Sequence, residues 1–403
     1  MNWYYYIAWL LVGVQLLFTY YAVRNHRYAM LKYDRKAGAV YRPRVALIVP
    51  CKGLDPQFDA NIRSLLCQEY EDYRAYLVVQ DRSDPAYARL CTIRDHLGSG
   101  SATPSVEILV AGPSTACSQK IHNLLYAIDR LDDDIEVLAF ADSDVCVCSD
   151  WLARLVQPLR KPKRGVTTGY RLFVPTRNNL ATLGLSAINA SVAQMLGNSR
   201  FNQAWGGSMA VRFADFRRLG LPEIWKHTLS DDLSLSVAVK KAGMIVTFVP
   251  ACLVASHASM SWSRLSEFCR RQFLITRVYA PLTWALGLLS SMGSVLGLWG
   301  TVAVAVYAAT VGARHARFFA VIPVIFFAGQ LFRVVLRQSM ASRLLKDHAR
   351  RLRPAIVADV LGFWFWSLLL LIFILSSAFG RTIRWRGIRY RLLGPTETEV
   401  LGS

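Results

Sequence analysis

The chain has 403 residues, of which 53% are hydrophobic and 18% charged, and its formal net charge is +20. This length exceeds one ordinary soluble domain, and the apolar composition excludes a chain that is soluble throughout, so we expect a membrane protein with one folded, water-facing domain. The basic residues cluster beside apolar segments, as in 350–354 and 381–391, which is typical of contacts with lipid headgroups and argues against nucleic acid as a partner.

The first predicted element is an N-terminal transmembrane anchor, residues 1–23. Trp3 to Val23 contains no charged residue, and at about 1.5 Å per residue a helix of this length crosses the ~30 Å hydrocarbon core. No basic region precedes it and no small-residue cleavage site follows, which favours an uncleaved anchor over a signal peptide. By the positive-inside rule the next segment is cytosolic, because basic residues follow at once: Arg24, Arg27, Lys32, Arg35 and Lys36.

Residues 24–280 are predicted to form an α/β domain. Short β-rich runs begin at Val45, Ala75, Val106 and Glu136, and their spacing of about 30 residues is the pattern of successive βαβ units around a parallel sheet. Further strands are predicted at 165–174 and 206–212. The eight cysteines all fall between residues 45 and 280 without zinc-site spacing, which indicates free thiols in a reducing compartment.

Acidic residues follow two of these strands, where ligands of open α/β sheets bind. Asp142 and Asp144 are separated by one residue, so on an extended chain both carboxylates could face one divalent cation; a polar turn is the alternative. Asp81 and Asp84 are placed to bind a nucleobase or ribose, or alternatively to open a loop at Asp84-Pro85. Lys52 ends the first strand at the same edge.

Two later segments also carry candidate chemistry. Asp231 and Asp232 precede an amphipathic stretch, where they either stabilise a helix N-terminus after Ser230 or supply a general base, since adjacent carboxylates raise one another's pKa. Arg271 and Gln272 lie shortly before a long apolar stretch. An arginine there serves membrane topology or binds a diphosphate leaving group.

The apolar segments predict the membrane-associated parts. Residues 178–198 are uncharged but polar enough to suggest a helix in the membrane interface, and residues 281–380 form a C-terminal transmembrane region followed by a basic juxtamembrane tail, 381–403. The basic loop 337–353 and the tail are both expected in the cytosol, which one crossing helix at 360–380 does not allow. Either that segment is re-entrant or the tail departs from the rule.

The order of the motifs resembles a known family. They look like the ceramide glucosyltransferases, within the processive-synthase-like inverting glycosyltransferases, over roughly residues 1–392: "PCKGLDPQF", "VVQDRSDPA", "QKIHNL", "ADSD", "GGSM", "SDDLS", "RRQF" and "WRGIRYRL". The resemblance implies a GT-A (Rossmann-like) fold, a UDP-sugar donor, a divalent cation (Mg²⁺ or Mn²⁺) and a lipid acceptor in the bilayer. It indicates no oligomeric state.

The resemblance also implies roles for individual residues. Asp81 would contact the uridine, Lys120 and Asn123 would line the nucleotide site, and Asp232 would be the base. Asp142 and Asp144 would form the metal and nucleotide site. The family's last motif ends in Arg-Trp, and "RRQF" lacks that tryptophan, which leaves the acceptor open.

The sequence thus predicts an integral multi-pass transferase whose catalytic domain faces the cytosol, in a bacterial inner membrane or in the Golgi or ER of a eukaryote. Transfer of glucose to a ceramide-like lipid is the leading hypothesis. The enzymatic alternative is transfer of N-acetylglucosamine or another hexose to a hopanoid or polyprenyl phosphate. The non-enzymatic alternative is a membrane-anchored partner protein with a degenerate nucleotide fold, which the intact acidic positions argue against.

Overall fold

The structure is a computed structural model that describes residues 4–34, 41–97 and 104–402. Arg35 and Lys36 of the predicted basic run, and Trp3 at the start of the predicted anchor, lie outside the described residues.

A seven-stranded sheet forms the centre of the α/β domain. Its strands are β1 Val45–Pro50, β2 Tyr73–Val79, β3 Ser105–Val110, β4 Val137–Ala141, β5 Arg164–Pro175, β6 Ser208–Arg212 and β7 Ile245–Ala258, in the order β3-β2-β1-β4-β6-β5-β7. The first four are parallel, as their spacing predicts. The sheet is mixed beyond them, because β6 is antiparallel to both β4 and β5. β7 adds an unpredicted edge strand, parallel to β5.

Helices cover both faces of this sheet, because alternate residues of a buried strand point to opposite sides. In β1, Leu47 faces one apolar cluster and Ile48 the other. The first cluster is covered by α2 Phe58–Leu66, α3 Pro85–Asp95 and α5 Trp151–Val156. The second is covered by α4 Gln119–Ile128, α7 Phe213–Arg218, α8 Leu221–Trp225 and α9 Asp231–Lys241.

In the described part of the chain, four helical segments are long and apolar enough to cross a membrane: Tyr5–Tyr33, Pro281–Thr310, Ala316–Leu344 and Lys346–Ser376. They contain α1 Tyr4–Tyr33, α11 Pro281–Val295, α12 Thr301–Thr310, α13 Ala316–Leu344 and α14 Ala349–Ser376. A π-helical turn, Leu296–Gly300, joins α11 to α12, so the uncharged stretch after Pro281 forms one continuous segment rather than a hairpin. α1 packs along α13, with Val12 against Phe326 and Ala29 against Met340.

α14 contacts the α/β domain at its start, its middle and its end. At its start, Leu352 packs with Leu172 of β5. In its middle, the Trp366 ring lies so close to Gly184 of α6 (Leu180–Ala193) that a Cβ at Gly184 would be 2.9 Å from it. Near its end, Phe373 packs with Leu265 of α10 (Trp262–Tyr279). Both ends of this apolar helix therefore lie against one folded domain.

The C-terminal residues fold back onto that domain. They form a three-stranded antiparallel sheet, β8 Thr382–Trp385, β9 Ile388–Gly394 and β10 Glu397–Gly402. Ile383, Tyr390 and Leu392 are buried against α9 and α10. The predicted basic tail is thus an ordered part of the domain, and we call it the C-terminal sheet.

Candidate active site

Asp142 and Asp144 lie directly beyond the carboxyl end of β4. β4 is fully buried, so the chain reaches the edge of the sheet just as it becomes polar. The Asp142 N–H donates to the carbonyl of Gly207, at 3.4 Å, and this contact continues the pairing of β4 with β6. The register of β4 and β6 therefore fixes the position of Asp142.

Lys120 lies between two carboxylates from different parts of the chain. It is in the first turn of α4, which Ser118 caps by accepting a hydrogen bond from the backbone of Ile121. Its ammonium is 2.9 Å from Asp142 Oδ1 and 3.1 Å from Asp231 Oδ2. A cation at a helix N-terminus is unfavourable for the helix dipole, and the two carboxylates compensate for it. Burial lowers the pKa of Lys120, but the carboxylates outweigh burial and raise it overall.

Asp231 and Asp232 begin α9 and have different surroundings. Asp231 is buried, and this burial, opposed by Lys120 and assisted by Asp232 and Asp142, raises its pKa to about 6. Asp232 is half-buried, and its Oδ2 accepts a hydrogen bond from the Gly206 N–H at 3.0 Å. Its Oδ1 accepts from the Ser230 hydroxyl at 2.5 Å, which orients the carboxylate.

Gly206 and Gly207 leave the space that this cluster occupies. A Cβ at Gly206 would lie 2.4 Å from Asp231 Oδ2 and 2.7 Å from the Lys120 ammonium. A Cβ at Gly207 would lie 2.7 Å from Asp142 Oδ2. The close approach of backbone to charged groups thus explains the glycine pair of the "GGSM" segment.

Asp144 is paired with Arg171 of β5, whose Nη1 is 3.3 Å from Asp144 Oδ2. The guanidinium lies near the Trp205 ring, 5.3 Å from its centroid, within the range of a cation–π contact. Burial raises the pKa of Asp144 despite Arg171. Burial acts the same way on Asp142, but there Lys120, Arg171 and further cations hold the pKa below its usual range.

The donor set fits a divalent cation in part. Asp142 and Asp144 offer hard carboxylate oxygens, which Mg²⁺ and Mn²⁺ prefer, and Asp144 Oδ1 is buried without a hydrogen-bond partner among the described residues. Within residues 4–34, 41–97 and 104–402, no group of three or more His, Cys, Asp or Glu could hold a metal ion. A cation here would need the phosphate oxygens of a ligand and water to complete its coordination.

Several predicted residues form the surrounding structure. Asp81 is exposed and accepts a hydrogen bond from the Ser83 N–H. Asp84 caps α3 and also accepts from the Gly53 N–H, at 2.9 Å, so it holds the loop after β1. Buried Asn123 donates to the carbonyl of Val78 at the end of β2. The Lys52 side chain is partly exposed at the same edge of the sheet.

The two predicted residues of α10, Arg271 and Gln272, have different surroundings. Burial lowers the pKa of Arg271 to about 10, and its Nη1 donates to the carbonyl of Arg384 in the C-terminal sheet, at 3.3 Å. Gln272 is exposed. A cavity of about 370 Å³ lies beside Arg271, between α10 and the C-terminal sheet, and arginines supply four of its lining residues: Arg270, Arg271, Arg384 and Arg389.

Three further charged residues reach this site without having been singled out from the sequence: Arg171, Asp55 and Arg386. Arg386 Nη2 lies 3.0 Å from Asp55 Oδ2. One signal was available in the sequence, because Arg384-Trp385 in the run Arg381-Thr382-Ile383-Arg384-Trp385 is an Arg-Trp pair of the kind that "RRQF" lacks. That run forms β8, which lies beside Arg271.

Comparison with known proteins agrees with this architecture. The sequence profile of glycosyl transferase family 21 matches residues 8–397. A mannosyltransferase from Pyrobaculum calidifontis, solved with GDP-Man and Mn²⁺, is similar with a TM-score of 0.51 and 14% identity, over 92% of this chain and 96% of that chain. Glucosyl-3-phosphoglycerate synthase from Mycobacterium tuberculosis, solved with Mn²⁺ and UDP-glucose, gives a TM-score of 0.35 and 12% identity, over 58% of this chain and 77% of that chain. The first similarity shows a shared GT-A fold, which confirms the predicted fold class.

Proposed function

Since the chain belongs to glycosyl transferase family 21, we propose that this nucleotide-sugar glycosyltransferase is membrane-bound and inverting, and that it transfers a hexose, most simply glucose, from a UDP-sugar to a ceramide-like lipid alcohol. The product would be a β-glycosyl lipid. The observation that supports this most is the convergence of Asp142 and Asp231 on Lys120, with Asp232 beside them, at the carboxyl edge of the sheet.

Asp142 and Asp144 would hold the donor end of the reaction. A divalent cation bound by these carboxylates would neutralise charge on the departing diphosphate. Lys120 holds the pKa of Asp142 below its usual range and fixes the carboxylate in position. On the other side of the turn, Arg171 contacts the Asp144 carboxylate and opposes the effect of burial on its pKa. The chain thus supplies both the ligands and the cations that orient them.

Asp232 would accept the proton of the acceptor hydroxyl. Its carboxylate is half-buried and held by Gly206 and Ser230, so it is oriented without being sealed from the site. Deprotonation of the hydroxyl as it attacks C1 opposite the leaving diphosphate inverts the anomeric centre. A single displacement requires one base and no protein nucleophile. Asp231 would hold the Lys120 ammonium in position rather than take the proton.

The membrane side of the site suits a lipid acceptor. Each CH₂ group drawn from a bilayer into water loses about 0.8 kcal/mol, so a lipid alcohol must meet the donor at the interface. Leu180 at the start of α6 is 61% exposed and Trp262 at the start of α10 is 46% exposed. These helices, which pack on α14, would form the rim through which the hydroxyl enters.

We further propose that α14 lies in the membrane interface and does not cross the bilayer. Its start contacts β5, and the chain beyond its end is bound by α10, where Arg270 Nη2 donates to the Phe379 carbonyl at 2.8 Å. Two flanks held by one domain lie on one side of a membrane. The basic loop 337–353 and the C-terminal sheet would then both be cytosolic, in agreement with the positive-inside rule, and α1, α11–α12 and α13 would be the crossing segments.

Product analysis tests the proposed reaction. The purified protein in lipid nanodiscs would be incubated with labelled UDP-glucose, UDP-galactose or UDP-N-acetylglucosamine, with Mn²⁺ or Mg²⁺, and with ceramide, a hopanoid or a polyprenyl phosphate. Mass spectrometry and anomeric NMR are expected to show a β-glucosyl ceramide-like product. A product on polyprenyl phosphate or a hopanoid would support the alternative acceptor, and absence of any UDP binding in the presence of either cation would favour the non-enzymatic partner protein.

A further inference from the structure

The tip of the C-terminal sheet is a two-residue turn that carries Arg386 into the active site. Trp385 in β8 pairs with Ile388 in β9, so Arg386 and Gly387 form the whole connection. Their φ angles are +49° and +89°, as in the tight turns that join twisted antiparallel strands. A positive φ is uncommon for a residue with a side chain, and arginine occupies it here.

The Arg386 side chain is bound to the loop after β1. Its Nη2 lies 3.1 Å and 3.0 Å from the two carboxylate oxygens of Asp55, and its Nη1 is 3.4 Å from the carbonyl of Lys52. Asp55 Oδ2 in turn accepts a hydrogen bond from the Ser143 hydroxyl, at 3.3 Å. Since Ser143 lies between Asp142 and Asp144, this chain of contacts links the C-terminal sheet to the acidic turn.

Two other contacts fix the position of the C-terminal sheet. The Gln119 N–H at the start of α4 donates to the Tyr390 hydroxyl, at 3.4 Å. Arg271 of α10 donates to the carbonyl of Arg384. The C-terminal sheet is thus attached to the loop after β1, to α4 and to α10. These contacts hold Arg386 beside the site rather than on a free end of the chain.

Arg386 differs from Lys120 and Arg171 because part of its guanidinium can still donate hydrogen bonds to a ligand. Lys120 is shared by two carboxylates, and Arg171 is bound to Asp144 beneath aromatic rings. The Arg386 side chain is 47% exposed. Both Asp55 contacts involve Nη2 alone, so among the described residues Nε and one hydrogen of Nη1 remain as donors. Burial lowers the pKa of Arg386, but Asp55, Asp144 and Asp142 outweigh it, so the guanidinium stays charged.

We propose that Arg386 is a donor-binding residue, and that its guanidinium binds the diphosphate of the nucleotide sugar beside Asp142 and Asp144. Guanidinium N–H groups donate charge-assisted hydrogen bonds to phosphate oxygens, and the contacts with Asp55 hold the Arg386 guanidinium beside Asp142 and Asp144. The C-terminal sheet is on this account part of the active site. The inference rests on the proposed function and extends it to a segment that follows the last apolar helix.

Binding of UDP to the full-length protein in nanodiscs tests the inference without requiring turnover. With Mn²⁺ at a fixed concentration, calorimetry would compare the wild type with Arg386→Gln, Arg386→Lys and the control Arg391→Gln. Arg391 lies in the same sheet, is exposed, and pairs with Glu399. We expect Arg386→Gln to raise the Kd for UDP about tenfold or more, Arg386→Lys to raise it less, and the control to leave it unchanged. The effect on UMP, which lacks the second phosphate, should be smaller.

Asp55→Asn separates ligand binding from a structural clamp. It removes the ion pair but keeps the guanidinium, so the proposal predicts that this variant binds UDP much better than Arg386→Gln does. Equal weakening of UDP binding in Asp55→Asn and Arg386→Gln would overturn the inference. It would also be overturned if folded Arg386→Gln and folded Arg386→Lys both bound UDP within twofold of the wild-type Kd. A wild-type protein that binds no UDP would instead reject the proposed function, so the two failures are distinguishable.

Discussion

The ammonium of Lys120 lies 3.1 Å from Oδ2 of Asp231, although Lys120 is in the first turn of α4 and Asp231 begins α9. Replacing Lys120 with Met would leave the buried carboxylates of Asp142 and Asp231 without their shared cation. Removal of one member of a buried ion pair typically destabilises a protein by about 3–5 kcal/mol. We expect thermal unfolding of Lys120→Met to occur at a clearly lower temperature, with partial recovery when Mn²⁺ is added.

The control for that experiment is Lys226→Met. Lys226 pairs with Glu223 on the surface, where an ion pair contributes about 0–1 kcal/mol. Equal melting temperatures for Lys120→Met and Lys226→Met would show that the Lys120 contacts do not stabilise the site.

The pKa of Asp231 predicts a pH dependence. Burial raises this pKa from 3.8 to about 6, so between these values the folded protein holds a proton that the unfolded chain has released. The contribution of this proton to stability is present at low pH and is lost as the pH rises through about 6. Activity should change in the opposite direction, because Asp231 binds Lys120 as a charged pair only above that pH.

The measurement is the pH profile of kcat/KM for the wild type and for Asp231→Asn. We expect the wild-type value to rise through about pH 6 and the variant to be less active but flatter over the same range. An unchanged acid limb in Asp231→Asn would assign the titration to another group.

The glycine pair between α6 and β6 predicts a steric effect on activity. In Gly206→Ala the new Cβ would lie 2.4 Å from Asp231 Oδ2 and would displace either Asp231 or Lys120. Overpacking of this kind typically lowers the free energy of unfolding by about 1–3 kcal/mol. Because the displaced groups belong to the site and misplaced groups slow a reaction, we expect kcat/KM to fall roughly tenfold or more. Gly394→Ala is the matched control, since no atom lies within 4 Å of the position of its Cβ. Wild-type activity in Gly206→Ala would contradict the described packing.

The position of α14 predicts the side of the C-terminus. A protease-sensitive tag after Ser403 should be cleaved from the same side of sealed vesicles as a tag inserted at the exposed loop residue Asp133. A cysteine placed in the loop between α12 and α13, at Ala313, should be labelled from the opposite side. Protection of the C-terminal tag when the Asp133 tag is cleaved would mean that α14 crosses the bilayer.

Local sequence pattern accounts for much of the fold. The alternation of Leu47 and Ile48 between two cores and the polar residues that follow Ala141 are encoded within a few residues, and they predict strands that end at a ligand-binding edge. The antiparallel β6 and the edge strand β7 were harder to predict, because strand direction depends on connections rather than on side-chain pattern.

The remaining features depend on contacts between distant segments. Hydropathy predicts that α14 can cross a membrane, but it contains no information on the contact between Trp366 and Gly184. Likewise, nothing local to Arg386 indicates Asp55, which is reached only because the chain folds back after the last apolar helix. Basic residues near membrane helices resemble topological signals whether or not they bind a ligand.

Asp142 and Asp232 have different proposed roles, since the first would bind the donor and the second would accept the proton of the acceptor. Asp232→Asn keeps the shape of the side chain and can still accept the hydrogen bond from Gly206, but it does not accept a proton at neutral pH. We predict that the variant binds UDP-sugar with a Kd close to that of the wild type and that transfer to lipid falls by about 10²-fold or more. Asp133→Asn, an exposed aspartate of a loop, should leave both quantities unchanged. Transfer by purified Asp232→Asn at the wild-type rate would contradict the role of Asp232 as the base.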